Sequence, residues 1–332
     1  MSALRFDPPL YLAPMEGVTD ASFRSLVLEE NGPGTVGAAC TEFLRVTDHP
    51  LPLEFLRKEL GPPPQVERAG RVQVGIQLMG NKPDAIAETS VLAAEAGAAF
   101  VDLNFGCPAP RVFQHCAGSA LLADPELLER MVRTVVEACP VPVTAKIRSG
   151  IEHDRNLEDI AKRVEQAGAS VLSVHARLRV DRYSDPSDWE RLRRVREAVS
   201  LPIYGNGDAN SPENIARMFA ETGCDGVMVG RGAMGNPWIF RDYARRLQQL
   251  PALEMGVEQI VLWMREYEQR MQDRGATPHQ ALGRLKQAFK ALVKSTMLAA
   301  TEDQRKEFLR LQAGDDFLGA IALLPDSSVP QS

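Results

Sequence analysis

The sequence lacks the features that would assign it to a membrane, to an oxidising compartment or to a metal-binding class. No stretch approaches the roughly 18 to 20 consecutive apolar residues that a membrane span requires. The opening residues MSALRFDPPLYLAP do not have the zones of a signal peptide. Five cysteines, Cys40, Cys107, Cys116, Cys139 and Cys224, are odd in number, scattered and without a CxxC pair. They read as free thiols in a reducing environment, not as a disulfide framework. The five histidines are equally dispersed, with no HExxH or comparable spacing, so no metal site is expected. Positive charge is in deficit as well: 38 Lys and Arg stand against 44 Asp and Glu, for a formal net charge of -6. That excludes a protein that coats nucleic acid indiscriminately but leaves room for a local basic face. A monomer in the cytoplasm is the expectation.

What the chain does have is alternation. Short apolar runs at 10–13, 36–40, 72–78, 100–103, 143–147, 171–174, 202–204 and 226–229 are each closed by polar or glycine residues and followed by a helical pattern. Asp124-Pro125 and Ser211-Pro212 carry the signature of an N-cap followed by proline at the first helical position. Gly97, Gly168 and Gly223 each stand where a helix ends shortly before the next apolar run. Eight β-then-α units predict an α/β fold, a (β/α)8 TIM barrel, over residues 1–242. A doubly wound sheet would have fewer strands and a nucleotide fingerprint in its first turn, where this chain has Ala13-Pro14-Met15-Glu16-Gly17. Beyond Phe240 no strand-like run returns. The patterns at 255–274 and 281–299 predict amphipathic helices split by 275–279, giving a small helical domain over 243–324 and a frayed tail over 325–332.

In such a barrel, function gathers at the C-terminal ends of the strands. Those tips carry Gln77, Asn104, Cys107, Lys146, Arg148, His175, Arg177, Asn206, Gly207, Asp208, Gly230 and Arg231. The glycine-rich turns after strands seven and eight are where barrels commonly hold a phosphate on backbone N–H groups, with Arg231 adding a charge-assisted bond. Lys146 and Gln77 point into the mouth, and a buried cation there needs an anionic partner. A reduced flavin ring supplies one, and a Schiff base with an aldehyde substrate is the other use of a strand lysine. Cys107, set between Gly106 and Pro108, is turned toward the axis. With an ordinary thiol pKa it stays protonated at neutral pH and can act as a general acid. His175 and Arg177 together can clamp a phosphate.

The motifs APMEGVTD at 13–20, DLNFGCPAP at 102–110, AGSALL at 117–122, KIRSG at 146–150 and GNGD at 205–208 occur in an order that resembles the tRNA-dihydrouridine synthases. The resemblance implies an FMN-containing barrel that reduces a uracil ring in tRNA at the expense of NADPH or NADH. It implies that Pro14, Met15 and Glu16 hold the flavin, that Gln77 and Lys146 contact its ring, and that Asn206, Gly207, Asp208, Gly230 and Arg231 hold its ribityl phosphate, with His175 on the phosphate side of the same cofactor. Cys107 then protonates uracil C5 while hydride reaches C6. The segment TEFLRV at 41–46 is similar to the bacterial C-type subgroup, which acts at position 16 of the D-loop, and Arg45, Asn104 and Arg148 would touch RNA.

Between Arg270 and Lys294 six basic side chains stand against Asp273 alone. Lys286, Lys290 and Lys294 share a helical face opposite Leu282, Leu285, Phe289 and Leu292. Such a face is either plain solvated surface or a phosphate contact. GRLKQ at 283–287, similar to the same family, assigns Arg284 and Lys286 to tRNA. A uracil read inside a barrel mouth must leave its stack, which requires base flipping. Three other readings remain open on the residues alone: a flavin barrel acting on a small pyrimidine or enone, a redox-free aldolase-type barrel using Lys146, and a catalytically silent RNA-binding module.

Overall fold

Eight short parallel strands close on themselves in the computed structural model of the chain, which describes residues 4–326. They are β1 (Leu10–Leu12), β2 (Ala38–Arg45), β3 (Gln73–Met79), β4 (Val101–Phe105), β5 (Val143–Arg148), β6 (Val171–His175), β7 (Ile203–Asn206) and β8 (Gly226–Val229). Each pairs with the next, and β8 returns to β1 through Leu10–Val227, Tyr11–Met228 and Leu12–Val229. Strands covered on both faces are nearly apolar throughout, which is why their positions can be read from the sequence. Only β2 departs by more than two residues. Its apolar run stops at Cys40, yet the strand continues to Arg45 across a register shift between Cys40 and Phe43. Thr41 and Glu42 therefore sit inside a bulged strand and not in a loop, and the tip of the strand is Arg45.

The N-terminal end of the barrel is sealed by aromatic rings. Phe6 packs 5.4 Å from Tyr11, 5.2 Å from Phe100 and 5.4 Å from Tyr204. Two glycines make the space: a Cβ at Gly75 would meet the Phe100 ring at 2.4 Å, and one at Gly226 would meet the Tyr204 ring at 2.1 Å. With this end closed, a ligand can enter only at the opposite mouth. The helices around the barrel begin and end on the expected signals. The Asp124 carboxylate accepts from Leu127 N and the Ser211 hydroxyl from Asn214 N. Gly97, Gly168 and Gly223 take positive φ just past their helices.

Residue 242, the expected boundary, falls inside the helix Ile239–Leu247, and regular structure breaks at 248–256. The helices Val257–Asp273 and Pro278–Lys294 follow, then Glu302–Phe308 and Gly314–Ala322. The second of these starts three residues before the expected Ala281. Thr277 forms a capping box with Gln280, and Pro278 takes the first helical position. This helical part shares the core of the barrel. Trp263 lies 6.1 Å from both Phe23 and Trp238, and Tyr267 lies 5.8 Å from Phe23. Arg270 reaches Glu29 at 2.9 Å, and the Tyr267 hydroxyl donates to Asp20 at 3.2 Å. The tail expected from Pro325 lies outside the described residues from 327 onward; before that, Asp326 accepts from Val257 N at 2.6 Å. Among the described residues no helix is long and apolar enough to cross a membrane.

Candidate active site

The turn after β4 is built around Cys107. Asn104, on the last part of the strand and 8% exposed, turns its side-chain oxygen back to accept from Gly106 N at 3.0 Å and Cys107 N at 2.9 Å. The Cys107 carbonyl accepts from both the backbone and the hydroxyl of Ser119. Gly118 beside it adopts φ +59, and a Cβ there would come within 3.1 Å of the Cys107 side chain. The AGSALL motif thus packs directly beneath the DLNFGCP motif. Arg148 completes the support by donating to the Gly106 carbonyl at 3.0 Å and the Leu178 carbonyl at 2.7 Å. Cys107 itself is 8% exposed. Burial pushes its thiol above the ordinary value, and the nearby Glu16 carboxylate adds to the effect. At neutral pH the group stays a protonated thiol and not a nucleophilic thiolate.

Beside this turn lies a cleft at the barrel mouth enclosing about 510 Å³, part of it open to solvent. Its lining includes Pro14, Met15, Lys146, His175, Asn206, Gly207, Asp208, Gly230 and Arg231, nine of the residues expected to hold a cofactor. Lys146 stands opposite Asn104 in the β4–β5 pairing. Burial, and then the charge of Arg148, bring its ammonium down from 10.5 to about 8. Its nearest hydrogen-bond partner is neutral, the Asn206 side-chain oxygen at 3.4 Å. His175 is held well below its ordinary value first by burial and then by the positive charges of Lys146, Arg148, Arg177 and Arg231. Arg177 can only donate, so at 3.3 Å the His175 Nε2 accepts and the ring proton sits on Nδ1.

Four expectations change in place or role. Gln77 does not line the cleft. It is 1% exposed, donating to Asp102 at 2.6 Å and accepting from Asn104 at 2.7 Å. Asp102 in turn gives Lys146 a buried carboxylate within electrostatic reach, so the protein supplies part of the anionic partner that the sequence left to a cofactor. Glu16 is exposed beside the mouth and is not part of the cleft lining. Arg177, 1% exposed, is taken up by Asp208 at 2.7 Å and 2.8 Å and by the Asp185 carbonyl, so it braces the cleft wall and does not present a free phosphate clamp. Burial opposes charge on Asp208, but the hydrogen bonds from Arg177 and Ser187 outweigh it and keep the carboxyl below its ordinary value. Arg231 reaches Asp208 at 3.2 Å and the Tyr183 carbonyl at 2.7 Å.

The residues expected to touch RNA divide in the same way. Arg45 is exposed at the tip of β2. Asn104 and Arg148 are buried supports of the Cys107 turn. Arg284 is half-buried, 3.8 Å from Asp20 and 3.6 Å from Glu42. Lys286 donates to the Leu311 carbonyl at 2.6 Å and anchors the last helices instead of facing outward. Lys290 and Lys294 are exposed, and with Arg231 they line a second cleft of about 1040 Å³ between the barrel mouth and the helix Pro278–Lys294. Sequence reasoning missed Tyr183. Its ring stacks on His175 at 6.4 Å, with the Arg148 and Arg231 guanidinium carbons 5.4 Å and 5.1 Å from its centre. It lies in the long connection after β6, where no periodicity marks it.

Residues 11–314 match the family described as Dihydrouridine synthase (Dus). The chain is similar to tRNA-dihydrouridine synthase B of Pseudomonas aeruginosa, 37% identical over 79% of this chain and 79% of that relative. It is also similar to tRNA-dihydrouridine(16) synthase of Ralstonia nicotianae, 34% identical over 85% of this chain and 94% of that relative. Among solved structures, a 2-naphthoyl-CoA reductase complex superposes with a TM-score of 0.54 at 13% identity, over 73% of this chain and 50% of that one, a likeness of fold alone.

Proposed function

Because the chain belongs to the dihydrouridine synthase family and is an oxidoreductase acting on uridine in tRNA, we propose that its mouth cleft holds FMN, that NADPH or NADH is the reductant, and that Cys107 is the acid of the reaction. The observation that carries the cofactor reading is the charge of the cleft. Lys146, Arg148, Arg177 and Arg231 surround His175, with Asp208 the carboxylate among the lining residues. That excess of positive charge suits an anion carrying a phosphate and a ring that becomes negative when reduced. The backbone at Gly207 and Gly230, with Arg231 beside it, suits the phosphate end. Lys146 and the Nδ1–H of His175 suit the ring. A flavin bound there supplies hydride for uracil C6.

The residues of the chain account for the other half of the addition. The Cys107 thiol is held protonated by burial and fixed by Asn104, Ser119 and Arg148. It gives its proton to C5 as the ring accepts hydride, and the resulting thiolate regains a proton from solvent. Uracil must be flipped out of the tRNA to reach the mouth. Arg45, Lys290 and Lys294, exposed on that side, would hold backbone phosphates, with Arg284 beside them. A uridine of the D-loop, at position 16, is the proposed target; the relative named for position 16 aligns over 94% of its own length.

The test uses the purified chain with NADPH and tRNA lacking dihydrouridine. The reading expects a yellow protein that releases FMN on denaturation and forms dihydrouridine in the tRNA. A colourless protein that takes up no FMN, or a flavoprotein that leaves tRNA unchanged while reducing a free pyrimidine or enone, contradicts it.

A further inference from the structure

A buried carboxylate lies beneath the Cys107 turn. Asp102 is 0% exposed, inside the barrel, and its hydrogen-bond partners are neutral side chains: Thr144 donates to one oxygen and Gln77 Nε2 donates to the other at 2.6 Å. A carboxyl buried on such terms is costly for stability; burial pushes its pKa up, Lys146 lies within electrostatic reach of it, and its hydrogen bonds run toward Cys107. The connections lead outward: Asn104 Nδ2 donates to Gln77 Oε1 at 2.7 Å, and Asn104 Oδ1 accepts from Gly106 N and Cys107 N.

The direction of this chain is fixed from its Cys107 end. Backbone N–H groups can only donate, so Asn104 must turn its oxygen toward Cys107 and its amino group toward Gln77. Gln77 must then present its oxygen to Asn104 and its amino group to Asp102, whose oxygen accepts it. Neither amide can flip without setting donor against donor or acceptor against acceptor in a buried site. We propose that Asp102 is a positioning residue that acts through Gln77 and Asn104 to hold the Cys107 turn in its proton-donating geometry. The inference rests on the reading of Cys107 as the acid, but its structural half stands apart from that reading.

The test exploits polarity. Asn104→Asp keeps the acceptor for Gly106 and Cys107 but removes the donor to Gln77, leaving acceptor against acceptor. Adding Asp102→Asn restores a full set in the reverse sense upstream. Thr144 then donates to the amide oxygen introduced at position 102, the new amino group there donates to Gln77 Oε1, and Gln77 Nε2 donates to the carboxylate introduced at position 104. Volume and net charge match the parent. The four holoproteins (parent, both single variants and the double variant) are compared by kcat and KM for tRNA, by the pH profile of Cys107 alkylation with a neutral thiol reagent, and by melting temperature. Asn104→Asp is expected to lower kcat by on the order of tenfold or more with a smaller change in KM and to shift the alkylation profile, and the double variant is expected to recover most of both. A double variant no better than Asn104→Asp in kcat and in alkylation, or an Asn104→Asp single variant equal to the parent in both, overturns the proposal. The alkylation profile and melting temperature report on the relay even if the parent reduces no tRNA, so failure of the relay and failure of the functional reading are told apart.

Discussion

The depressed basicity of Lys146 leads to a quantitative statement about cofactor binding. In the open cleft its ammonium titrates at about 8 and not at 10.5, because it is buried beside Arg148. An anionic ligand that restores the ordinary value must bind more tightly to the protonated form, and the gap corresponds to about 3 kcal/mol, or roughly 300-fold in affinity, between the two charge states. Below about 8 the lysine is already charged and affinity is at its plateau; above it each binding event must also take up a proton, and affinity falls as pH rises. Affinity for FMN is therefore expected to be roughly tenfold weaker at about pH 9 than at about pH 7, the remainder of the loss lying at higher pH. Titration of the flavin-stripped protein with FMN, followed by flavin fluorescence, measures this. Lys146→Met should bind more weakly at pH 7 and show little further change up to pH 9. A parent protein with pH-independent affinity, or a Lys146→Met variant with the same fall, refutes the reasoning.

Replacing Cys107 by Ala removes the proposed proton donor alone, so initial rates of dihydrouridine formation should fall by on the order of 10²- to 10⁴-fold while flavin content and tRNA affinity hold; an unaltered rate contradicts the assignment. Lys290→Glu with Lys294→Glu should weaken tRNA binding and reduce the slope of log affinity against log salt by about 2, each phosphate contact contributing nearly one. Lys286→Glu acts differently: it breaks the bond to Leu311 and should appear first as a lower melting temperature. Arg270→Ala leaves the buried Glu29 carboxylate with Arg68 as its cation and should cost about 1–3 kcal/mol in denaturant unfolding; a smaller effect would mean that the apolar contacts of Trp263 and Tyr267 dominate the docking of the helical part.

The barrel was legible because strands covered on both faces must be apolar, and because Asp124, Ser211 and the helix-ending glycines mark boundaries through local chemistry. The strand tips gave most of the cleft for the same reason: in this topology they converge whatever the loops do. What could not be read was which side chains at the tips are free. Asn104, Arg148 and Arg177 look in sequence like groups offered to a ligand, but their donors and acceptors are taken by backbone, amide and carboxylate partners up to 42 residues away along the chain. Lys286 shares a helical face with Lys290 and Lys294, yet only the fold reveals that Leu311 returns to meet it. The bulge in β2 was hidden because Thr41 and Glu42 break the apolar run, and Tyr183 was hidden because a connecting segment carries no period.

Conversion of uridine in tRNA to dihydrouridine with the Cys107 proton is open to a decisive check. Transfer RNA from a strain lacking the gene, re-supplied with either the parent protein or Cys107→Ala, is subjected to position-resolved mass analysis. Dihydrouridine is expected to return at a single D-loop uridine with the parent and to stay absent with Cys107→Ala. Its absence with both proteins, or its equal return with both, would overturn the assignment.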